Sequence, residues 1–270
     1  MGNAVSALGD AVVDAALWAT APAPSPSASD SSATCHDVLD VLDVLDILVH
    51  RARLPPELAV DILDLAEYWP CVTRSWTGDM VVSAGMHGRR TVQTRLVSPP
   101  LPNIPGAPTQ LVRRVSVWTD SRDQGFSSFP QHHRTRDASS SWFELVLLRA
   151  VPPGSSHPAL PPVLGLENLA QRGDPAASVP AGTAYAPHRT VRLHSNLHST
   201  AEFVPFTTVL SLDGPRACTA TPASCTAEEA RELLHEARAG DRFAVRACAQ
   251  YPQWINRVRA CAIKVEFAAV

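Results

Sequence analysis

The sequence predicts a mainly β protein (α+β): an antiparallel β-sandwich or jelly roll preceded by a helical hairpin, with one late helix. After Cys71, short runs rich in β-branched and aromatic residues alternate with Gly, Pro and Asn breakers. Before them, the apolar spacing of 35–70 predicts two helices. Thr226 and Glu229 have the spacing of a helix capping box. Many strands with few intervening helices favour antiparallel sheets packed face to face.

The predicted strands share a length and composition typical of half-buried sheet. They are 71–76, 79–84, 91–97, 111–118, 141–149, 188–194, 203–212, 242–250 and 258–267. The late helix is expected to end at Gly240, since glycine is favoured just beyond a helix.

Three regions follow from this pattern. We expect a disordered N-terminal segment and linker over 1–34, where Pro, Ser and Ala predominate. The helical hairpin takes 35–70, and its second helix begins at the Leu54-Pro55-Pro56 start. The β-sandwich domain takes 71–270, with a proline-rich insertion at 151–187. Loops of that length are uncommon unless they are functional or disordered.

The composition excludes several partner classes. The chain has 270 residues, of which 45% are hydrophobic and 18% charged, and its formal net charge is −3. A folded core is therefore feasible, and no strongly basic field would attract nucleic acid. The 6 cysteines include no pair at the two-residue spacing of zinc or redox motifs. We expect most of them to be free, small buried side chains.

The N-terminus bears on membrane contact and location. Asp10 and Asp14 interrupt the apolar residues of 4–19, and no stretch approaches the roughly 20 apolar residues of a spanning helix. We therefore expect a cytoplasmic protein without an integral membrane segment. The opening MGNAVS fits an acylation signal at Gly2. One acyl chain would give only marginal, peripheral membrane contact.

Two segments resemble a group of uncharacterised fungal proteins. They are LPPELAVDILDLAEYW at 54–69 and a distributed pattern over 115–130, 139–145, the region of Asn196 and 239–267. No settled activity follows from this resemblance. Where similar proteins show Ser-His-Asp-Gln-Gly-Trp, this chain has Ser-Arg-Asp-Gln-Gly-Phe at 121–126.

The LPPEL start also resembles the opening of an F-box, the helical module that docks substrate receptors onto cullin-type ubiquitin ligases. The resemblance covers 54–69 and stops where the chain turns strand-like at Cys71. It implies partner docking through Leu54, Pro55, Leu58 and Ile62. The alternative is a hairpin that only covers a sheet edge.

One polar loop is the candidate ligand site. It holds acids, an amide, a histidine and aromatic rings, a combination that suits sugar hydroxyls and pyranose faces. The candidate residues are Asp120, Asp123, Gln124, Phe126 and His132. The alternative is a turn in which an aspartate satisfies backbone amides. Trp254, between two strand signals, is expected to be a core anchor.

Catalytic motifs are absent from the sequence, which has no nucleophile elbow, no H-E-x-x-H, no phosphate loop and no dinucleotide fingerprint. We therefore expect no cofactor, no metal and no catalytic residue. The leading hypothesis is a non-enzymatic binding or adaptor module that recognises a protein or carbohydrate ligand through the sandwich loops. The alternatives are a substrate receptor of a cullin-type ubiquitin ligase and a hydrolase on a jelly-roll scaffold.

Overall fold

The structure is a computed structural model. It describes residues 36, 38–85, 88–103, 112–151, 184–212, 214–217 and 224–268. All of them belong to the unit Cys35–Val270. The predicted segment 1–34, with Gly2, and the stretch 152–183 of the predicted insertion lie outside the described residues.

The described residues form two antiparallel sheets, as the sequence predicted. The strands are β1 (Cys71–Ser83), β2 (Thr91–Val97), β3 (Val112–Arg122), β4 (Ser141–Val151), β5 (Ala184–Ser195), β6 (Val204–Ser211), β7 (Gly214–Ala217), β8 (Arg242–Ala249) and β9 (Ile255–Phe267). One sheet has the order β1-β9-β3-β6-β7, and the other has the order β2-β8-β4-β5.

The main core lies between the inner faces of the two sheets. Val117 and Ile263 contribute from the five-stranded sheet, and Phe143, Leu145 and Val245 from the four-stranded sheet. Inward residues recur at every second position because successive side chains of a strand point to opposite faces. The sequence predicted these strands from their β-branched and aromatic residues and from the breakers between them.

Several strands differ from the prediction, among them β3, which runs on to Arg122, and β9, which begins at Ile255. The runs 71–76 and 79–84 form one strand, because the glycine-containing gap is a register shift between Thr77 and Met80 and not a turn. β5 begins at Ala184 and includes Pro187, which is tolerated because β5 is an edge strand. β7 was not predicted, since its four residues carry no alternating pattern.

The helical hairpin consists of α1 (Val38–Asp46), a π-helical turn (Ile47–Arg51) and α2 (Pro56–Leu65). Val41 and Leu63 are buried against each other, with Val44, Leu48 and Tyr68 packed around them. Pro56 stands at the first turn of α2, where its missing N–H costs nothing. The hairpin therefore has a small cluster of its own beside the sandwich core.

The late helix α3 (Ala227–Glu236) has the predicted capping box. The Thr226 side chain accepts from the Glu229 N–H, and the Glu229 carboxylate accepts from the Thr226 N–H. The helix ends at Glu236, before the expected Gly240, because Ala237 is already extended. Leu233 and Leu234 join the main core.

Most of the described cysteines are free, as expected. Cys225, Cys248 and Cys261 are free and buried, as predicted. Cys71 instead forms a disulfide. A β-bridge between His36 and Pro70 holds the start of β1 against the chain that precedes α1. Spacing along the chain does not reveal a contact of this kind.

Among the helices of the described ranges, none is both long and apolar enough to cross a membrane.

Candidate functional site

One end of the sandwich interior is polar, and Asn196 is its centre. Its Oδ1 accepts from Ser121 Oγ at 2.8 Å, and its Nδ2 donates to Ser141 Oγ at 2.9 Å and to Asn256 Oδ1 at 3.0 Å. Asn256 Nδ2 donates in turn to the Trp142 carbonyl at 2.9 Å. These bonds join both sheets at the end where the candidate loop leaves β3. A satisfied buried network of this kind rigidifies the structure around it.

His194 extends this network toward the apolar core. Its Nε2 lies 2.9 Å from Thr119 Oγ1, and its Nδ1 lies 3.1 Å from Thr208 Oγ1. The ring packs between Phe143 and Phe206, with centroid distances of 5.0 and 4.3 Å. Burial, with a smaller contribution from Arg136, holds the pKa of His194 well below the ordinary 6.5.

This depressed pKa predicts acid sensitivity. Below about pH 6.5 the unfolded chain binds a proton at His194 that the folded chain does not, so stability falls as the pH falls. Between pH 7.5 and 5.5 we expect this residue to remove on the order of 1 kcal/mol of unfolding free energy. The measurement is urea unfolding of the wild type and His194→Gln at both pH values. Equal pH dependence in the two proteins would contradict the assignment.

Asp123 closes the candidate loop and does not face solvent. Its Oδ1 accepts from the N–H groups of Gly125 at 2.9 Å and Thr200 at 3.0 Å, and its Oδ2 accepts from the Ser199 N–H at 2.6 Å. The residue is completely buried. Burial raises the pKa of Asp123, and the three N–H groups oppose that shift. Of the two predicted roles, this geometry is that of the turn, in which the aspartate satisfies backbone amides. Ligand binding by Asp123 stays a prediction.

The other predicted ligand residues are dispersed. Asp120 lies within β3, is almost fully buried and accepts from Arg259 Nε at 2.7 Å. Gln124 donates from Nε2 to the Phe126 carbonyl at 3.0 Å. Phe126 is 62% exposed, and His132 is half-buried at the end of a short 3₁₀ turn. Gln124, Phe126 and His132 therefore lie on a loop surface, and Asp120 is an ion-paired strand residue.

His198, which was not among the predicted ligand residues, packs against residues of two loops, the one after β3 and the one before β9. Its ring centroid lies 6.0 Å from those of His132 and His133 and 5.2 Å from that of Trp254. His198 is completely buried, and neither ring nitrogen has a hydrogen-bond partner within the described part of the chain. Trp254 is half-buried beside it, so it is packed less deeply than the predicted core anchor. The turn before β9 holds Trp254 at the rim.

Loops whose residues contact His198 carry exposed aromatic rings, and we call residues 123–138, 196–201 and 251–254 the loop surface. Phe126, Phe129 and Tyr251 are each more than half exposed. Five non-glycine residues with positive φ also lie in these loops: Arg134, Ala138, Ser199, Tyr251 and Gln253. Left-handed backbone at non-glycine residues costs free energy and collects at functional sites.

The outer face of the four-stranded sheet holds a separate charged cluster. Glu144 accepts from Arg90, and its Oε1 accepts from Trp142 Nε1 at 2.9 Å. Cross-strand pairing places Arg192 and Arg246 on either side of Glu144. The guanidinium groups of Arg90 and Arg192 lie 5.7 and 4.7 Å from the centroid of the Trp142 ring. One buried carboxylate thus faces three arginines.

The predicted docking residues lie on the hairpin. Leu54 is half-buried, and Pro55 is the exposed residue that precedes α2. Leu58 is 45% exposed and Ile62 is 38% exposed, and Leu65 continues their stripe at 89%. Positions i, i+4 and i+7 share one helix face. The structure therefore groups Leu58 and Ile62 on an exposed apolar face.

The residues that sequence reasoning missed did leave a signal. Thr119 and Ser121, together with the predicted Asp123, continue the inward alternation of Val115 and Val117 with polar side chains. His194 near the end of β5, and Asn196 and His198 beyond it, are buried polar residues at the same two-residue spacing. Polar residues at inward positions indicate a buried network, but their partners are far apart in the chain. No group of three histidine, cysteine or acidic side chains is placed to hold a metal ion in the ranges that the structure describes.

Comparisons with known proteins add little. No family model matches the chain, and no curated protein matches it. Among solved structures, it is similar to the potassium-bound carbohydrate recognition domain of Emp46p, with a TM-score of 0.30 and 10% identity over 74% of this chain and 90% of that one. A protein of unknown function from Shewanella oneidensis MR-1 has a TM-score of 0.19 and 9% identity over 80% and 96% of the two chains. Similarities this low carry no argument about the ligand.

Proposed function

We propose that the β-sandwich is a non-enzymatic carbohydrate-binding module whose ligand lies on the loop surface. The observation that carries this proposal is the group of three exposed aromatic rings, Phe126, Phe129 and Tyr251, on loops that His198 joins. Exposed aromatic patches mark interaction sites, and a ring offers a flat face for the apolar side of a sugar. The Asp123 and Asn196 bonds beneath keep these loops in position without contacting the ligand.

The carboxylates of the loop region do not support a hydrolase. Asp120 is ion-paired with Arg259, and Asp123 accepts three backbone N–H groups. A glycosidase of the common type needs two carboxylates that flank the scissile bond. Asp120 and Asp123 are both buried and engaged, so we propose binding and not hydrolysis.

A glycan array tests the proposal. We expect the full chain to retain one or a few glycans, and Phe126→Ala or Phe129→Ala to weaken that binding up to about tenfold, the effect of losing an aromatic contact. The melting temperature should stay unchanged, because both rings are exposed. Leu65→Ala, which removes a more exposed apolar side chain from α2, is the matched control and should bind normally. An array that retains nothing with the wild type contradicts the proposal.

The exposed face of α2 favours a second candidate, docking to a cullin-type ubiquitin ligase. Leu58, Ile62 and Leu65 form the apolar stripe that such docking requires. Against it stands the disulfide of Cys71, because disulfides are typical of oxidising compartments and rare in the cytosol. The same bond weighs against the expected cytoplasmic location. Co-purification of ligase subunits with the wild type, and its loss in Leu58→Asp, would establish this alternative.

A further inference from the structure

Three arginines surround one carboxylate on the outer face of the four-stranded sheet. Arg192 of β5 and Arg246 of β8 stand opposite Glu144 of β4 in the register, so their side chains share the face on which the Glu144 carboxylate lies. Arg90, the residue before β2, donates to that carboxylate. We call these four residues the arginine cluster. Its three guanidinium groups and one carboxylate leave an excess of two positive charges, in a chain whose net charge is −3.

This excess distinguishes the arginine cluster from an ordinary ion pair of the sandwich. Arg189, for comparison, donates to two carboxylates, those of Glu232 and Glu236. In the arginine cluster the single carboxylate is bonded to Arg90, and neither Arg192 nor Arg246 has a carboxylate of its own among the described residues. Repulsion between like charges on one face costs free energy, and a bound anion would relieve it.

The Trp142 ring holds two of the guanidinium groups in place. Those of Arg90 and Arg192 lie 5.7 and 4.7 Å from its centroid, and the ring is fixed by the bond from Nε1 to Glu144 at 2.9 Å. Arg192 Nη2 also donates to Ser195 Oγ at 2.8 Å. Side chains that are already ordered lose less entropy when a ligand binds. The Arg90 side chain is nevertheless 42% exposed, so a ligand can reach the cluster from solvent.

We propose that the arginine cluster binds the phosphoryl group of a phosphate monoester. Such a group carries a charge of about −1.5 to −2 at pH 7, which nearly cancels the excess positive charge of the cluster. Its three terminal oxygens accept the forked N–H pairs of guanidinium groups. The site lies on the face of the sheet and not among the ligand-binding rings, so this inference goes beyond the proposed function and does not require it.

The phosphoryl group has two possible sources, free phosphate and a phosphorylated sugar. The arginine cluster adjoins the loop surface, because Gly88 is two residues before Arg90 and a Cβ at Gly88 would lie 3.9 Å from Cδ1 of Tyr251. A phosphorylated sugar would therefore gain a second contact at the Tyr251 ring, and free phosphate would not.

Isothermal titration calorimetry of the full chain at constant ionic strength tests the inference. D-glucose 6-phosphate should bind at least about tenfold more tightly than D-glucose, because its contacts with the guanidinium groups are charge-assisted. Arg192→Gln and Arg246→Gln each remove one charge of the cluster, and each should weaken binding of glucose 6-phosphate by about tenfold. Arg231→Gln, at an exposed arginine of α3, is the matched control and should bind as the wild type does.

Glu144→Gln distinguishes a binding site from a cluster that only stabilises the fold. The substitution removes the carboxylate that competes with a ligand for the arginines. Inorganic phosphate should therefore raise the melting temperature of Glu144→Gln by more than it raises that of the wild type, because it binds the folded variant more tightly. Circular dichroism establishes that each variant is folded before its binding is compared.

Three results would overturn the inference. They are equal affinity of the wild type for glucose 6-phosphate and glucose, a preference that survives in both Arg192→Gln and Arg246→Gln, and a melting temperature of Glu144→Gln that does not respond to phosphate. The two sources are separated by Tyr251→Ala. Glucose 6-phosphate that binds more tightly than inorganic phosphate, and loses this advantage in Tyr251→Ala, identifies a phosphorylated sugar. Equal affinity for the two identifies free phosphate, and both results support the site.

Failure of the proposed function gives a different result. If the glycan array retains nothing while phosphate binds the wild type and not Arg192→Gln, the arginine cluster is a phosphate site and the carbohydrate module is wrong. If the array retains neutral glycans and phosphate does not bind, the carbohydrate module stands and the phosphate site is wrong.

Discussion

Glu144→Gln is expected to lower the free energy of unfolding by about 3–5 kcal/mol, the cost of removing one partner from a buried ion pair. The Glu144 side chain is 7% exposed and accepts from both Arg90 and Trp142. The substitution keeps the shape but removes the negative charge that Arg90, Arg192 and Arg246 share. Burial already lowers the pKa of Arg192 and Arg246, and Glu144 is the largest opposing influence on both. Without it, three cations face one another.

Urea unfolding followed by circular dichroism measures this effect, and two further variants show its cause. Glu228→Gln, at an exposed position of α3, should change stability by less than about 0.5 kcal/mol. Arg246→Met should recover part of the loss in the Glu144→Gln background, because it removes one of the repelling charges. A loss below about 1 kcal/mol in Glu144→Gln, or no recovery in the double variant, would show that this cluster is solvated.

Asp123→Ala is expected to destabilise the sandwich by about 3–5 kcal/mol. The carboxylate accepts three backbone N–H groups from two segments, 125 and 199–200, and each buried donor left without a partner costs about 1–3 kcal/mol. Asp123→Asn should cost less, since one oxygen remains to accept from Gly125 and Thr200. The loop surface depends on the same bonds, so glycan binding should weaken together with stability.

The control for Asp123 is Asp137, an exposed aspartate in the same loop. Asp137→Ala should change the unfolding free energy by less than about 0.5 kcal/mol in the same urea experiment. Glycan binding abolished by Asp123→Ala at unchanged stability is the opposite result. That result would show that Asp123 binds the ligand, the role that the composition of the loop predicted.

The candidate site was only partly predictable. The sequence located the loop after β3 and the turn before β9, because polar and aromatic residues between strand signals mark exposed connections on a rigid scaffold. It did not show which side chains point outward. Asp123 and Phe126 are three residues apart, yet one is completely buried and the other is 62% exposed. Their difference depends on the Ser199 and Thr200 N–H groups, more than 70 residues away in the chain.

Local sequence chemistry predicted most of the strands, α2 and α3. The residue pattern predicted strands such as β2, whose bounds Thr91–Val97 equal the predicted 91–97. The start of α3 was predictable because the capping residues Thr226 and Glu229 are only three positions apart. Only the tertiary structure decided strand order, the merging of 71–76 with 79–84, the disulfide of Cys71 and the meeting of Asn196 with Asn256. Each of these depends on hydrogen bonds or packing between residues far apart in sequence, and those partners come together only after the sheets have paired and closed over the core.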